Sequence, residues 1–506
     1  MKKNIFKWCV FLIILSFALF AVSCGDQNED KNIGQTGDAE SAEPIDSIEP
    51  AQSDEGDIID MNIDLTPYLP EKDFDGYTFK VLNIDPSMYW CLSNIVVEEE
   101  SGDMVNDAIY RRNLTIMEKY NIEIKHYPGV GFGGIGGLIK KSNNAGDNIY
   151  DIAFPYIQEA ANLAVDGQLH NLIDVPYIDN TKPWWLKKAD DAVELGGKRF
   201  FGTNDIDIAN VESTWSMEFN KLIIQKYGLD SPYDLVLSGK WTLDKFLEMC
   251  KAAAQDLDAS GKIDSAEDQA GYVALLSPGN GGCLALLQSG GEYMVRKNAE
   301  GYPEINITNE RFINVYTKVI DVLFNHNVGI NGNTIWDGVS PVQLMFESDK
   351  TLFIWDILGY GRILREMKSD FGILPLPKYD ENQESYCTPV TNGAPVICIP
   401  IINEDLERTG IIIEALAAES SRTLIPAYIN VALGVKYARD EESLPMVNLI
   451  LDTRIYDMAN VYQWGNIMNA IGGAMEKNST DIVSVAEKNM DKLQAAIDKS
   501  IEKITN

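Results

Sequence analysis

The sequence predicts an α/β protein with more than one folded unit, and three observations carry that expectation. At 506 residues the chain is long enough for two or three domains. Its apolar share of 45% supports substantial cores. From Tyr77 onward, short apolar runs alternate with stretches of helical period, the signature of strand–helix–strand units.

The chain opens with a leader. Lys2, Lys3 and Lys7 flank or enter the apolar run Trp8 to Phe20, which ends in Ala21-Val22-Ser23-Cys24. A charged n-region, an apolar h-region and small residues before a cleavage point make residues 1–23 a signal peptide, not a spanning helix. A cysteine directly behind the small residues is the lipobox pattern, so Cys24 is expected to be diacylated and to become the mature N-terminus; Ala21 stands where Leu is more usual. Each buried acyl CH₂ contributes roughly 0.8 kcal/mol, and two or three chains hold a protein durably at a bilayer surface. The expected location is therefore the outer face of the cytoplasmic membrane, extracellular and lipid-anchored. Residues 24–64 form the tether. Gly25 to Asp60 holds twelve acids and one Lys with few large apolar residues, too few to offset the entropy of ordering.

The net charge of −34 argues against nucleic acid and against anionic lipid bound through a basic surface. Of seven cysteines, five remain beyond the leader and anchor: Cys91, Cys250, Cys283, Cys387 and Cys398. They are widely spaced with no CxxC, so neither zinc nor a disulfide framework is indicated, and small buried hydrophobes are expected.

Thr78 to Ile84 reads as a strand and Asp103 to Tyr120 as a helix, with Val105, Ala108, Ile109, Ile116 and Tyr120 on one side and Asn121 as C-cap. Ile122 to Tyr127 is the next strand, completing a right-handed βαβ unit. Tyr150 to Pro155 (strand) and Gln158 to Asp166 (helix) follow. Between Tyr127 and Tyr150, Gly129 to Gly134 fits GxGxxG, but the helix behind it is expected to be short and broken at Asn143-Asn144-Ala-Gly146, so a flexible loop is the better reading. Val211 to Glu218 reads as a strand entering a helix, Phe219 to Tyr227, and Thr242 caps a helix to about Gln255. Thr351 to Trp355 is a buried strand that ends in Trp355-Asp356, turns through Gly359 into a short helix with Ile363, Leu364 and Met367 on one side, and leads to a strand that stops at Pro375-Leu-Pro377. An aromatic and a carboxylate where a strand gives way to a helix suit a ligand cleft. Pro395 to Pro400 (strand), Asp405 to Glu419 (helix) and a long amphipathic helix, Lys477 to Ile504, close the chain.

Asp256 to Glu267, DLDASGKIDSAE, fits the twelve-residue EF-hand loop. Asp256, Asp258 and Ser260 occupy positions 1, 3 and 5, Gly261 the turn position, the Lys262 carbonyl position 7, Asp264 position 9 and Glu267 position 12. Structural Ca2+ is expected here, weakened by Ser at position 5. Catalytic constellations are absent: His126, His170 and His326 are too scattered for a metal triad, and no GxSxG, HExxH, SxxK or P-loop pattern appears. Paired acids for glycoside hydrolysis stay open, with Asp205 and Asp207 the first to test. Trp90, Trp184, Trp185, Trp215, Trp336, Trp355 and Trp464 sit in loop-like or strand-end contexts, with Tyr89, Tyr156, Tyr360 and Tyr462 beside several of them. Sugar rings have apolar C–H faces and polar rims, which suit indoles edged by Asp, Asn or Arg.

Three sets of words carry a family resemblance: GDMVNDAIYRRNLTIMEKYNIEI, YDIAF…AVDGQLHNL, and FGILPLPKYDE with Gln383 and Tyr386 behind it. Over roughly Tyr77 to Asn506 the chain resembles the extracellular solute-binding lipoproteins of ABC sugar importers in Gram-positive bacteria, family 1-like. The resemblance implies a two-lobe clamshell of the periplasmic-binding-protein type (type II) with hinge strands between lobes. Residues 65–215 and 393–425 would form lobe 1, and 216–392 and 426–506 lobe 2. It places Tyr156 at a strand end bordering the ligand and an inter-lobe crossing near Trp215. With Trp355, Asp356 and Trp336 these are the first ligand candidates; Trp90, Asp205 and Asn392 follow. The implied partners are an oligosaccharide, the membrane permease pair and the bilayer itself, with the body a monomer and no chemistry asked of the chain. An exported polysaccharide-acting hydrolase, a glycan-binding surface adhesin, and a peptide or other small solute as ligand stay open as alternatives.

Overall fold

The computed structural model describes residues 65–505 apart from 67, 130, 132, 280 and 430–441. The expected signal peptide, Cys24 and most of the tether lie outside the described residues.

In chain order the strands are β1 (Tyr77–Ile84), β2 (Ile122–Gly129), β3 (Ile152–Ala153), β4 (Phe201–Gly202), β5 (Trp215–Asn220), β6 (Ala270–Ala274) and β7 (Val295–Lys297). They continue as β8 (Pro303–Ile305), β9 (Gly329–Asn331), β10 (Thr351–Ile357), β11 (Phe371–Leu374), β12 (Thr388–Pro389), β13 (Ile397–Cys398) and β14 (Arg454–Ile455). Two five-stranded sheets organise the body, in the orders β2-β1-β3-β13-β4 and β11-β5-β10-β6-β9.

The first βαβ unit forms as its spacing predicts. Asp103 caps helix Met104–Tyr120 by accepting from the amides of Val105 and Asn106, a cap worth about 1 kcal/mol. Asn121 ends the helix in the left-handed conformation, and β2 then pairs parallel to β1 from Tyr77↔Ile122 onward. The buried stripe carries Arg112 as well as apolar side chains. Its guanidinium, fully enclosed, donates to Ile95 O, Ile206 O and Ser420 Oγ and so ties three segments of the first lobe together. Helix Ile135–Ala145 runs unbroken through Asn143 and Asn144 to a left-handed Gly146, so the expected interruption there is corrected.

In the second sheet, β10 is central. It runs antiparallel to β5, with Trp355 opposite Met217, and parallel to β6. Both faces are covered, which explains why FIW in β10 and VA in β6 read as continuous apolar runs without alternation. After β10 comes a 3₁₀ helix, Leu358–Glu366. At three residues per turn Leu364 and Met367 share its buried side while Ile363 is 45% exposed, which corrects the expectation that all three face one way.

Two of the segments that cross between the lobes are bonded to each other: Thr214 bridges Val390, and the Thr391 amide donates to Ser213 O at 3.0 Å. The first crossing carries the chain into β5 and the second carries it back to β13. Helix Leu406–Arg422 then packs in the core of the first lobe, and helix Ser443–Asp452 packs on β11 of the second. The late helices touch both lobes: Met458–Tyr462 lies against helices Ile157–Val165 and Lys187–Val193, and Ile482–Thr505 against Ile157–Val165 and Glu310–Phe324. The five cysteines beyond Cys24 are free thiols, and all but the half-buried Cys387 are buried, as small hydrophobes would be.

Candidate functional site

Most of the indoles are structural. Trp184 and Trp185 are buried and donate to the two oxygens of Glu414, each at 2.7 Å. Trp464 donates to Ser500 Oγ at 2.8 Å and stacks on Tyr462 with an interplanar angle of 8°. Trp355 is 1% exposed, donates to Gly282 O at 3.1 Å, and lies among Tyr272 and Phe246 with ring centroids 5.2 and 6.0 Å away. The expectation that it offers a ring face to a ligand is corrected: β10 is covered on both faces, and the indole is packed into the core on one of them. Trp215, at the start of β5, is 6% exposed and packs so close to Gly281 that a Cβ there would sit 3.3 Å from its ring. Among the described residues, Trp90 and Trp336 are the half-exposed indoles, each at 50%.

Trp90 belongs to an aromatic cluster at the lobe junction. Its ring lies nearly parallel to Tyr156, 9° between planes and 6.2 Å between centroids, and 4.6 Å from Tyr89. Tyr156 stands where β3 gives way to helix Ile157–Val165, and it bridges Pro395 on the second crossing segment. Tyr89 donates to Gly393 O at 2.9 Å and shares a hydrogen bond with Ser213 Oγ at 3.1 Å, touching both crossing segments. Of the eight ligand candidates, the structure brings Trp90 and Tyr156 together.

The others lie apart. Asp356 is half-buried, accepts from the Ile357 amide, and is pushed up to about 6 by burial. It shares a sheet face with Ser216 and the fully buried Glu218, whose carboxyl rises to about 8, chiefly by burial. Asp205 is pushed up to about 7 by burial, against the pull of Arg454 and a hydrogen bond with Ser421. Asp207 caps Ala209 and is likewise raised to about 7 by burial. Asn392 is half-buried on the second crossing segment, its amide 3.4 Å from Met468 Sδ. Trp336 stands in the loop ahead of helix Pro341–Glu347. That loop reaches the 3₁₀ helix through Ser340 Oγ and Tyr360 Oη, 3.0 Å apart.

Sequence reasoning missed the polar frame of the junction. Asn210 donates to Tyr456 Oη (2.7 Å) and Pro395 O (3.2 Å) and accepts from Arg454 (3.2 Å), while Tyr456 also meets Thr203 at 3.0 Å. Glu212, fully buried, takes the Leu92 amide at 2.6 Å and the Arg362 guanidinium at 2.9 and 3.0 Å. The contacts are long-range, so no local word marks them.

The Asp-rich loop curls as the EF-hand spacing predicts, with one exchange. Carboxylate oxygens of Asp256, Asp258 and Asp268 lie within 4.8 Å of one another. Gly261, at φ 86°, makes the sharp turn. Asp268 is fully buried and takes the inner place; the Glu267 side chain is 81% exposed and lies 4.0 Å from Lys350. Glu267, expected to point into the loop, faces solvent, and its neighbour Asp268 turns inward instead, where it accepts from the amides of Leu257, Asp264 and Ser265. Three hard carboxylates with the Ser260 hydroxyl nearby form a donor set that suits Ca2+. A separate cavity of about 770 Å³ on the second lobe is lined by Asp230, Asp234, Lys245, Asp380 and their neighbours, includes no aromatic ring, and shares no residue with the junction.

Several solved structures are similar to this one. M. tuberculosis UspC matches with a TM-score of 0.55 at 14% identity, over 83% of this chain and 100% of that one. An ABC transporter solute binding protein from Thermotoga lettingae TMO, bound with α-D-tagatose, matches with a TM-score of 0.50 at 12% identity, over 84% and 100%. The ABC substrate-binding protein Lmo0181 from Listeria monocytogenes, in complex with cycloalternan, matches with a TM-score of 0.49 at 13% identity, over 85% and 98%. No family model matches the chain, and no curated protein does. These likenesses show the fold, an α/β clamshell of two lobes, which the resemblance implied.

Proposed function

We propose that this chain is the substrate-binding lipoprotein of an ABC importer, capturing an oligosaccharide between its lobes and handing it to a membrane permease pair. The observation that carries the reading is the half-exposed Trp90 ring laid parallel to Tyr156 beside the two crossing segments of a clamshell. An indole backed by a second ring is pre-organised to meet the C–H face of a sugar. The Thermotoga protein of the same fold, bound with α-D-tagatose, supports a carbohydrate over a peptide. Cys24 would be the lipid anchor, as the lipobox pattern before it suggests; among the described residues no helix is long and apolar enough to cross a membrane. The body acts as a monomer, and Ca2+ at Asp256, Asp258 and Asp268 clips the loop without touching the ligand.

Titration calorimetry against a panel of glycans tests the reading, with expected micromolar binding to at least one member (about −8 kcal/mol). Heat from none would overturn the carbohydrate assignment. Incubation of labelled oligosaccharides with the protein separates binder from hydrolase, since a binder returns them intact.

A further inference from the structure

The loop that bears Trp90 is held in part by the opposite lobe. Arg362, on the 3₁₀ helix behind β10, extends its guanidinium across the junction and donates through Nη2 to Trp90 O at 2.7 Å. The same group pairs with Glu212, Nε to Oε1 at 2.9 Å and Nη2 to Oε2 at 3.0 Å. Glu212 is fully buried beside the first crossing segment and also takes the Leu92 amide at 2.6 Å and the Tyr428 hydroxyl at 3.2 Å. Gly359, at the start of the same helix, lets the backbone come close: a Cβ there would sit 3.1 Å from the Glu212 side chain. One carboxylate and one guanidinium thus fix residues on either side of Cys91 from two directions. A lysine offers one point charge and cannot make both contacts in a fixed plane.

We propose that Arg362 is a positioning residue for the glycan site, presenting the Trp90 ring by clamping its backbone to Glu212 when the two lobes come together. Binding and lobe closure are then coupled through this group. A ligand that gains the Trp90 face only when Arg362 is seated favours the conformation in which both are in place. The proposal rests on the reading that Trp90 meets the sugar, and its test separates the two.

The experiment uses the full folded body with R362Q, R362K, W90A and the double variant R362Q/W90A, read by glycan calorimetry, thermal midpoint, and hydrogen exchange of peptides covering residues 88–93. The expectation is that R362Q weakens binding about tenfold, the scale of one charge-assisted contact. R362K should recover part of that loss. The thermal midpoint should fall, because R362Q removes the cation beside the fully buried Glu212; exchange at Leu92 should quicken, and R362Q should add nothing to the affinity loss in the W90A background. If R362Q and W90A weaken binding additively, or R362Q leaves affinity unchanged, Arg362 does not act through Trp90 and the proposal is overturned. If W90A binds like wild type, the ring does not meet the sugar, and the proposal falls with that part of the reading. If wild type binds no glycan, the functional reading fails, and the exchange arm decides alone: unchanged protection of residues 88–93 in R362Q would still overturn the clamp.

Discussion

Glu414 accepts four hydrogen bonds in the first lobe, and E414Q measures what they are worth. The carboxylate, fully buried on helix Leu406–Arg422, takes Trp184 Nε1 and Tyr68 Oη on one oxygen, at 2.7 and 2.9 Å. Trp185 Nε1 and the Asp179 amide, at 2.7 and 3.0 Å, meet the other. Gln keeps the shape but turns one oxygen into an N–H₂ group. Whichever way the amide lies, one indole N–H in a tryptophan no more than 5% exposed faces a donor and loses its acceptor. An unsatisfied buried donor costs about 1–3 kcal/mol, and the surviving hydrogen bonds lose their charge assistance. The expected loss is about 2–4 kcal/mol, a large share of the 5–15 kcal/mol typical of a folded domain. Y68F is the control: its hydroxyl is in reach of water, and its removal should cost under about 1 kcal/mol. Urea unfolding followed by tryptophan fluorescence reads both. An E414Q midpoint that places its stability within about 0.5 kcal/mol of wild type, at unchanged slope, would refute the reasoning.

Three further outcomes are expected. Asp190, Asp205 and Asp207 are pushed up to about 7 and Glu218 to about 8, in each case mainly by burial. Folded values above unfolded ones mean that the folded protein holds protons which the unfolded chain has released; this stability is whole below about pH 4 and is lost as pH rises through about 7 to 8. The thermal midpoint should therefore fall from pH 5 to pH 8, and E218Q should flatten the upper part of the curve; a midpoint that climbs over this range contradicts the assignment. W355F removes the hydrogen bond to Gly282 O and part of a core ring, so it should cost about 1–3 kcal/mol while glycan affinity stays within about twofold. The reverse result, an affinity loss at unchanged stability, would make Trp355 a ligand contact after all. Ca2+ at millimolar concentration should raise the thermal midpoint by a few degrees, an effect abolished by chelator and by D256N or D268N but kept in E267Q; an equal rise in D256N would refute the site.

What could be read from the sequence is what neighbours along the chain decide. Asp103, Asn121 and Thr242 cap where their side-chain chemistry predicts, because a cap is settled within three or four residues. The gathering of Asp256 and Asp258 in the Asp-rich loop was legible for the same reason; that Asp268 joins them while Glu267 faces solvent is set by which residue the closing turn faces inward. The aromatics were harder. Trp355 and Trp90 both look like strand-end or loop indoles, but Trp355 lies against Tyr272 and Phe246, which are 83 and more than 100 residues away in the chain. Burial of one and exposure of the other follow from tertiary packing that no local period encodes. Arg362 and Glu212 are 150 residues apart, and their pairing was invisible for that reason.

The junction also limits how the lobes can move. Ser213 and Thr391 are hydrogen-bonded, Thr214 pairs with Val390, and Tyr89 touches Ser213 and Gly393 together, so the two crossing segments form one tied unit. A rotation of one lobe against the other must bend these two segments outside that tie, since hinge changes fall on loop or element-terminal residues. The loop carrying Trp90 is bonded to the tied unit through Tyr89 and through Glu212, and Tyr156 is anchored to the same unit by its bridge to Pro395. Both rings should therefore keep their mutual placement through such a rotation. Arg362 belongs to the other lobe and arrives from outside the tie, which makes it the part of this frame whose distance to Trp90 changes as the clamshell opens and shuts.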